Sequence, residues 1–204
     1  MGKKSDEKLS KLTQLFEEIF NVIFDDKEIW MSDVHFKDTP YRLAKMYLDE
    51  IFRGVTKKKK SSENSHANHD FDFKLFEISN ESTSKVIIEN LTVKAFCAHH
   101  LAPFLGKCTV EYIPSKHILG LSKFQRILDT LCGIPTVQEE LTKKYAQVLY
   151  DILKPRYLKV TMNCIHTCMI SRGVKLENAN TITEYVIGKE DEGVSIHGKT
   201  VLCA

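Results

Sequence analysis

Apolar and charged positions near the start of the chain repeat with the period of an α-helix. Charged residues lie between apolar positions that are three or four residues apart. These apolar positions are Leu9, Leu12, Phe16, Ile19 and Ile23. Such a stripe predicts an amphipathic helix over about residues 6–24.

A second helical pattern follows closely. Asp38 offers a cap and Pro40 is a proline for the first turn, while Gly54 is a stop signal. The apolar stripe between them consists of Leu43, Tyr47 and Ile51. The sequence therefore predicts a helix over residues 39–53.

Residues 57–70 are polar, with four lysines followed by a stretch of Ser, Asn and His. A segment of this kind cannot bury apolar surface, so we predict a flexible polar insertion. The lysines could contact phosphate, but a solvated charge run is the favoured interpretation, as it is for His66 and His69.

The remainder of the chain alternates between strand and helix patterns. Two strands with period-2 alternation are expected on either side of residues 97–106. Two helices follow, the first capped by Ser122 and the second carrying apolar positions from 137 to 152. Residues 157–166 and 181–187 then predict an antiparallel hairpin.

This order favours an α+β domain in which helices cover one face of an antiparallel sheet. We divide the chain into an N-terminal helical region (1–56), the insertion (57–70) and an α+β catalytic domain (71–204). There is no glycine-rich phosphate loop and no dinucleotide fingerprint. Any phosphate must therefore be held by side chains.

Composition narrows the class of protein further. The 204 residues carry a formal net charge of only +2, so we expect no nucleic-acid or membrane partner. No apolar run approaches the roughly 20 residues of a membrane span, and no signal peptide or lipid-anchor pattern is evident. We therefore expect a soluble cytoplasmic protein, whose six cysteines are thiols or metal ligands.

Two clusters carry candidate metal chemistry. Cys97, His99 and His100 lie at one predicted strand end, and His166 and Cys168 lie at another. If the second strand stays extended through residue 168, its last histidine and cysteine share one face. Thiolates with imidazoles suit zinc, and three protein ligands with an open position define a catalytic site. Buried thiols and hydrogen-bonded histidines are the alternative, and spacing does not choose among the histidines.

The ordered motifs resemble those of the GTP cyclohydrolase I family. Residues 97–104, Cys-Ala-His-His-Leu-Ala-Pro-Phe, resemble the family's Cys-Glu-His-His-Leu-Val-Pro-Phe. Four further motifs continue the similarity in chain order, so that it covers about residues 36–54 and 85–175. They are residues 38–46, residues 112–114 with 120–123, residues 137–142, and residues 166–174.

The resemblance implies a zinc-dependent conversion of GTP to 7,8-dihydroneopterin triphosphate and formate, the first step of folate and tetrahydropterin biosynthesis. It implies that Zn2+ is held by Cys97, His100 and Cys168. It also implies that His99 and His166 transfer protons. In this scheme Glu139 anchors the guanine with help from Gln138. The implied triphosphate-binding residues are Ser122, Lys123, Arg126, Arg172 and Arg42.

The resemblance further implies the tunnelling fold, in which sheets of several chains join into a barrel, and a homodecamer with active sites at subunit interfaces. Ala98 departs from the family, which has Glu there. This loss of a carboxylate beside a metal ligand motivates a rival, a catalytically impaired paralogue that binds a purine or pterin. Another enzyme of the same fold, acting on a pterin or deazapurine, is a second rival.

Overall fold

A computed structural model of the chain describes residues 3–56, 73–78, 85–188 and 196–203. The predicted polar insertion at 57–70 lies outside these residues. Contacts within the chain divide it into two compact units, residues 1–59 and 60–204. Within the described ranges, no helix combines the length and apolar character that a membrane crossing requires.

The first unit is helical. Its elements are α1 (Lys3–Ile23), α2 (Lys27–Met31), α3 (Thr39–Met46), a π-helical turn (Tyr47–Ile51) and α4 (Arg53–Thr56). The rings of Phe16 and Tyr47 meet edge to face at 5.2 Å and join α1 to the π-helical turn. Trp30 is buried and donates a hydrogen bond to the Asn21 side chain.

The helix predicted over 6–24 is confirmed, and the second helix begins at Thr39 as predicted. Two details were wrong. The Asp38 side chain makes no capping hydrogen bond, and Gly54 lies inside α4 instead of ending the helix. The short helix α2 was not predicted. It begins where the Asp26 carboxylate accepts the backbone N–H of Glu28, which is a local cap without an apolar stripe.

The second unit contains the following elements in chain order: β1 (Leu75–Glu77), β2 (Val86–Phe96), β3 (Pro103–Ile113), β4 (His117–Leu119), α5 (Leu121–Leu131), α6 (Gln138–Leu153), β5 (Tyr157–His166), α7 (Thr167–Ile170), β6 (Asn180–Ile187) and β7 (Ile196–Cys203). Five strands form an antiparallel sheet in the order β2-β3-β5-β6-β7, and β1 pairs with β4. The predicted hairpin is β5 with β6.

Helices α5 and α6 cover one face of the sheet, which confirms the α+β prediction. Alternate strand residues such as Val93, Val110 and Val160 are fully buried beneath these helices. The Tyr145 hydroxyl on α6 donates to the Phe124 carbonyl on α5 at 2.9 Å. This buried bond ties the two covering helices together.

The opposite face of the sheet is exposed and carries both charged and apolar side chains, the apolar ones including Ile87, Leu105 and Ile165. Lys85 pairs with Glu111 at 3.1 Å, and Lys159 pairs with Glu184 at 2.8 Å, so that ion pairs cross from strand to strand. The charged part of this face suits contact with water, as in antiparallel sheets covered on one side.

One of the two covering helices starts differently from the prediction. The residue before α5 is Gly120, so Ser122 lies within the first turn and does not cap the helix. α6 begins at Gln138, immediately after Val137, as the apolar pattern predicted. The difference arises because a serine inside the first turn and a serine cap look alike in one sequence.

Candidate active site

The two predicted clusters come to the same end of the sheet through the pairing of three strands. Phe96, at the end of β2, is the cross-strand partner of Pro103, at the start of β3. The next residue, Phe104, pairs with His166 at the end of β5. Strands lie about 4.8 Å apart, so the two clusters flank the start of β3 within about 10 Å of each other.

The first cluster lies in a tight turn between β2 and β3. The N–H of Cys97 donates to the carbonyl of Ala102 at 2.9 Å, and the N–H of Leu101 donates back to the Cys97 carbonyl at 2.8 Å. Leu101 has a φ of 51°, a left-handed conformation that costs free energy in a residue with a branched side chain. The turn is therefore closed by backbone bonds at both ends.

This turn is also attached to the segment before α6. Cys97 forms a parallel bridge with Thr136, whose N–H donates to the Phe96 carbonyl at 2.9 Å. The N–H of Ala98 donates to the Thr136 carbonyl at 3.1 Å. Ala98 thus has a defined backbone role, while its side chain is exposed and supplies no carboxylate. The start of α6 is brought beside the cysteine by these bonds.

Cys97 is buried, whereas His99 and His100 are exposed. The Cys97 Sγ lies 3.6 Å from the Nδ1 of His99, and the rings of the two histidines are 6.5 Å apart. Two donors on one tetrahedral zinc, at about 2.3 Å for sulfur and about 2.1 Å for nitrogen, are also about 3.6 Å apart. This thiol and imidazole therefore suit either a hydrogen bond or a shared metal.

The period-2 argument assumed that Cys168 lies on an extended strand, but it does not. The chain leaves β5 after His166 and forms the short helix α7, which contains the half-buried Cys168. The Thr167 hydroxyl donates to the Pro103 carbonyl at 2.7 Å and fastens α7 to the start of β3. The second cysteine is thus held at the same sheet end, by a helical turn instead of a strand.

The donor chemistry fits zinc, because two cysteines and three histidines lie on segments that meet at one sheet end. Across the described residues, however, no three or more His, Cys, Asp or Glu side chains converge closely enough to hold a metal ion. The buried Cys164 thiol is unsuited to the task. Burial, with a smaller contribution from Cys132, raises the pKa of Cys164 to about 12, so its thiol stays protonated at neutral pH.

His166 is held by a ring contact and a side-chain hydrogen bond. Its ring stacks on Phe104 with centroids 4.8 Å apart and planes 9° from parallel. Its Nε2 lies 2.9 Å from the Oε1 of Gln138. Burial lowers the pKa of His166 below its ordinary value of 6.5, and the nearby negative charge of Glu139 opposes this shift. A neutral imidazole is therefore favoured at neutral pH.

Gln138 and Glu139 are adjacent at the start of α6 but have opposite environments. Gln138 is fully buried, and its Nε2 donates to the carbonyls of Met162 and Thr181 at 3.1 and 2.9 Å. Glu139 is exposed. A contact between the Gln138 side chain and a ligand would require these bonds to break, whereas the Glu139 carboxylate can reach a ligand directly.

The basic residues predicted for the triphosphate lie on other elements. Ser122, Lys123 and Arg126 belong to the first half of α5, where the Lys123 Nζ lies 5.1 Å from the Phe73 ring centroid. The neighbouring Gln125 hydrogen-bonds the backbone of Thr92, four residues before the end of β2. Four strand residues span about 13 Å, so this part of α5 is set back from the cysteine turn.

Arg172 is exposed in the turn that follows α7. Arg42 belongs to α3 in the N-terminal unit, where its guanidinium donates to the His35 carbonyl and the Thr39 hydroxyl. The structure therefore brings together the segments 97–100, 138–139 and 166–168, with Arg172 following closely in the chain. The three predicted triphosphate residues of α5 and Arg42 of α3 lie on other elements.

The described architecture is that of an α+β protein with a cysteine and histidine site at one end of an antiparallel sheet. The sequence profile of GTP cyclohydrolase I matches residues 12–201. The chain belongs to the GTP cyclohydrolase I family of enzymes.

Several curated proteins named GTP cyclohydrolase 1 are similar to this chain. That of Aliivibrio salmonicida (strain LFI1238) is 34% identical over 184 residues, which are 89% of this chain and 77% of that protein. That of Carboxydothermus hydrogenoformans is 36% identical over 153 residues, with 74% and 73% covered. The Saccharomyces cerevisiae protein is 42% identical over 103 residues, which are 50% of this chain and 42% of that protein.

Among solved structures, the archaeosine synthase QueF-Like in the apo form covers 50% of this chain and 94% of its own length, with a TM-score of 0.41 at 22% identity.

Proposed function

We propose that this chain hydrolyses GTP and re-cyclises the product to 7,8-dihydroneopterin triphosphate with loss of formate, and that it depends on zinc. The observation that carries the proposal is the meeting of a cysteine turn, the Gln-Glu start of α6 and the His166 end of β5 in a chain of the GTP cyclohydrolase I family. In a cell the enzyme would act in the cytoplasm, at the entry to folate or tetrahydropterin synthesis.

Cys97, His100 and Cys168 would hold the zinc. When bound, zinc supplies a Lewis acid that lowers the pKa of a coordinated water toward neutrality. The burial of Cys97 and the closed turn around it support this role, because a fixed thiol loses little freedom when it binds a metal. The hydrogen bond from Thr167 to the start of β3 restrains the segment of Cys168 in the same way.

His166 and His99 would move protons to and from the ring nitrogens of guanine while the bonds to C8 break. An imidazole suits this task because its ordinary pKa lies close to neutrality. For His166 the supporting observations are the lowered pKa, which favours a neutral proton acceptor, and the fixed ring plane on Phe104. For His99 the support is its exposure beside the Cys97 thiol.

Glu139 would bind the guanine base. A carboxylate can accept both the N1–H and the exocyclic amine, and such paired, charge-assisted hydrogen bonds are strong. Its exposure at the first turn of α6, one residue from the Gln138 contact with His166, supports this role. The base would then lie beside the proton-transfer histidine.

The triphosphate would be held by side chains, as no glycine-rich phosphate loop is present in the sequence. We propose Arg172 from the site segment together with Ser122, Lys123, Arg126 and Arg42. The set-back position of α5 supports an assembly in which a neighbouring chain supplies part of this group. The proposed assembly is a homodecamer whose sheets join into a barrel, and sedimentation analysis would test it.

The proposal is tested by incubating the zinc-loaded full chain with GTP and following the absorbance of dihydroneopterin triphosphate. We expect steady product formation that is lost after chelation and restored by zinc. The exposed Ala98, where the family has a carboxylate, favours a second candidate, a paralogue that binds GTP without converting it. Saturable GTP binding with no product would establish that candidate and overturn the proposed activity.

A further inference from the structure

A fully buried polar network lies behind His166, formed by Gln138 and Thr142 on α6 and Thr183 on β6. Gln138 and Thr142 are 0% and 1% exposed, and Thr183 is 2% exposed, so none of them can touch a substrate without rearrangement. The network is not needed for the fold class or for any role proposed above. Only one assignment of donors and acceptors is consistent with all of its hydrogen bonds, and this assignment determines which atom of His166 is protonated.

The orientation of the Gln138 carboxamide is fixed by backbone carbonyls. The carbonyls of Met162 and Thr181 lie 3.1 and 2.9 Å from one end of the amide and can only accept hydrogen bonds. That end must therefore be the NH2 group. Its two protons are shared among the two carbonyls and the Thr183 hydroxyl, which lies 3.1 Å away. A flipped amide would place its oxygen against two other oxygens, which is unfavourable in a buried site.

The two threonine hydroxyls support the same orientation. The Thr142 hydroxyl donates its only proton to the backbone carbonyl of Gln138 at 2.8 Å. In the 2.6 Å contact between the two hydroxyls, Thr183 must therefore be the donor. With its proton committed to Thr142, the Thr183 oxygen accepts from the Gln138 amide. Every proton in the network is thus assigned.

The remaining end of the amide, Oε1, faces the Nε2 of His166 at 2.9 Å. Because Oε1 can only accept, Nε2 must carry a proton whether the imidazole is neutral or charged. In the neutral imidazole, Nδ1 is then the nitrogen without a proton. The stacking of the ring on Phe104 also restrains the ring plane.

We infer that Gln138, oriented by Thr183 and Thr142, is a positioning residue that fixes the ring and the tautomer of His166, with the proton on Nε2. The inference rests on the proposed proton-transfer role of His166. It differs from the role in guanine binding that the family resemblance implies for Gln138. The two roles predict different kinetics, because a positioning residue acts on kcat and a base-binding residue acts on KM.

Thr183 offers the cleanest variants, since it contacts the network and not the site. Thr183→Val removes the hydroxyl and keeps the shape, so the amide loses one restraint and the tautomer is less strongly selected. We expect kcat to fall by about tenfold or more, as for other partners behind a catalytic group, with KM for GTP within about twofold of wild type. Thr183→Ser, which keeps the hydroxyl, should restore most of kcat.

Thr161→Val is the matched control. Thr161 lies on β5 and donates to Glu184 on the opposite face of the sheet, so a threonine hydroxyl is removed without touching the network. It should leave kcat unchanged. Gln138→Met, which removes the acceptor itself, should lower kcat further at similar KM. A rise in KM for Gln138→Met with kcat intact, or wild-type kcat in Thr183→Val, would overturn the inference.

Solid-state 15N NMR of the full chain labelled at histidine reads the tautomer directly, without turnover. The His166 signal, identified by its loss in His166→Phe, should show a protonated Nε2 and an unprotonated Nδ1 in the neutral wild type. A proton on Nδ1 with a bare Nε2 would refute the inference. This measurement still tests the tautomer if a network variant fails to fold. It also does so if wild type releases no formate, and that result would count against the proposed function alone.

Discussion

His99 and His100 are adjacent and both exposed, yet we propose proton transfer for His99 and zinc binding for His100. We predict that His99→Ala retains about one zinc per chain and binds GTP, but loses product formation by about 10²- to 10⁴-fold, because it lacks a proton-transfer group. His100→Ala should lose the metal, because it removes a ligand. Elemental analysis and GTP binding of the purified variants check both results.

The 3.6 Å contact between Cys97 and His99 gives the opposite assignment a geometric basis. A zinc-free His99→Ala beside a loaded His100→Ala would exchange the two roles. Full activity in His99→Ala would exclude it from proton transfer. His117→Ala, on β4, is the control and should change neither metal content nor activity.

Two buried thiols are expected to make the protein less stable at alkaline pH. Burial raises the pKa of Cys164 from an ordinary 9.0 to about 12 and moves the pKa of Cys108 in the same direction. Above pH 9 the unfolded chain releases these protons while the folded chain keeps them. The free energy of unfolding should therefore fall between pH 9 and 12, by up to about 1.4 kcal/mol per pH unit for each thiol.

Urea unfolding of wild type and Cys164→Ala at pH 8.5 and pH 10.5 tests this. The variant should be less stable at both values, since it leaves a small cavity, but its stability should fall less between them. Parallel losses in the two proteins would show that Cys164 titrates normally in the folded state. The comparison removes the contribution of lysines and tyrosines, which titrate in both proteins.

At the scale of the elements, the pairing of β3 with β5 depends on Gly106. A Cβ at this position would lie 2.0 Å from the Asn163 carbonyl oxygen and 2.7 Å from the Cys164 Sγ. Because the nearest clash is with backbone, the strands would have to move. We predict that Gly106→Ala lowers the free energy of unfolding by about 2–3 kcal/mol, the upper part of the range for overpacking.

Gly120→Ala is the control for that substitution. The nearest atom to its added Cβ is the Lys123 Cγ at 3.9 Å, so the methyl group meets no obstacle. Its stability should fall by less than about 1 kcal/mol, because alanine restricts the unfolded chain but is less favourable than glycine at the residue before a helix. Denaturant midpoints of the two variants measure the contrast, and equal midpoints would mean that β3 and β5 adjust freely at Gly106.

Elements with a strong apolar period were predictable from the sequence. α1, α6, β5 and β6 each carry an uninterrupted 3.6- or 2-residue repeat, and the structure has them near the predicted bounds. The two-stranded sheet of β1 and β4 was not predictable, because each strand has only three residues and its partner is about 40 residues away. The cap at Asp26 and the helical turn at Cys168 are likewise too short to leave a repeat.

The candidate site was predictable in its residue types but not in its orientations. Paired clusters of cysteine and histidine indicated metal chemistry, and strand pairing brings both clusters to one sheet end. The buried orientation of the Gln138 side chain could not be predicted from the sequence, because it depends on carbonyls of β5 and β6 that are distant in the chain. Thr142 and Thr183 were missed for the same reason.

At the scale of the whole molecule, the central claim is that the chain excises C8 of GTP as formate. The fold supports the claim because the buried Cys97 thiol, the His166 imidazole and the exposed Glu139 carboxylate lie on segments that meet at one end of the sheet. Each group has a separate task, so loss of the Cys97 thiol should abolish turnover while leaving the rest of the fold in place.

The most direct measurement is the release of labelled formate from GTP that carries an isotope at C8. The account predicts that zinc-loaded wild type releases about one labelled formate for each dihydroneopterin triphosphate formed, and that Cys97→Ser releases none while retaining a cooperative thermal unfolding transition. Full retention of the label in GTP, with a folded and zinc-loaded wild-type enzyme, would contradict the account.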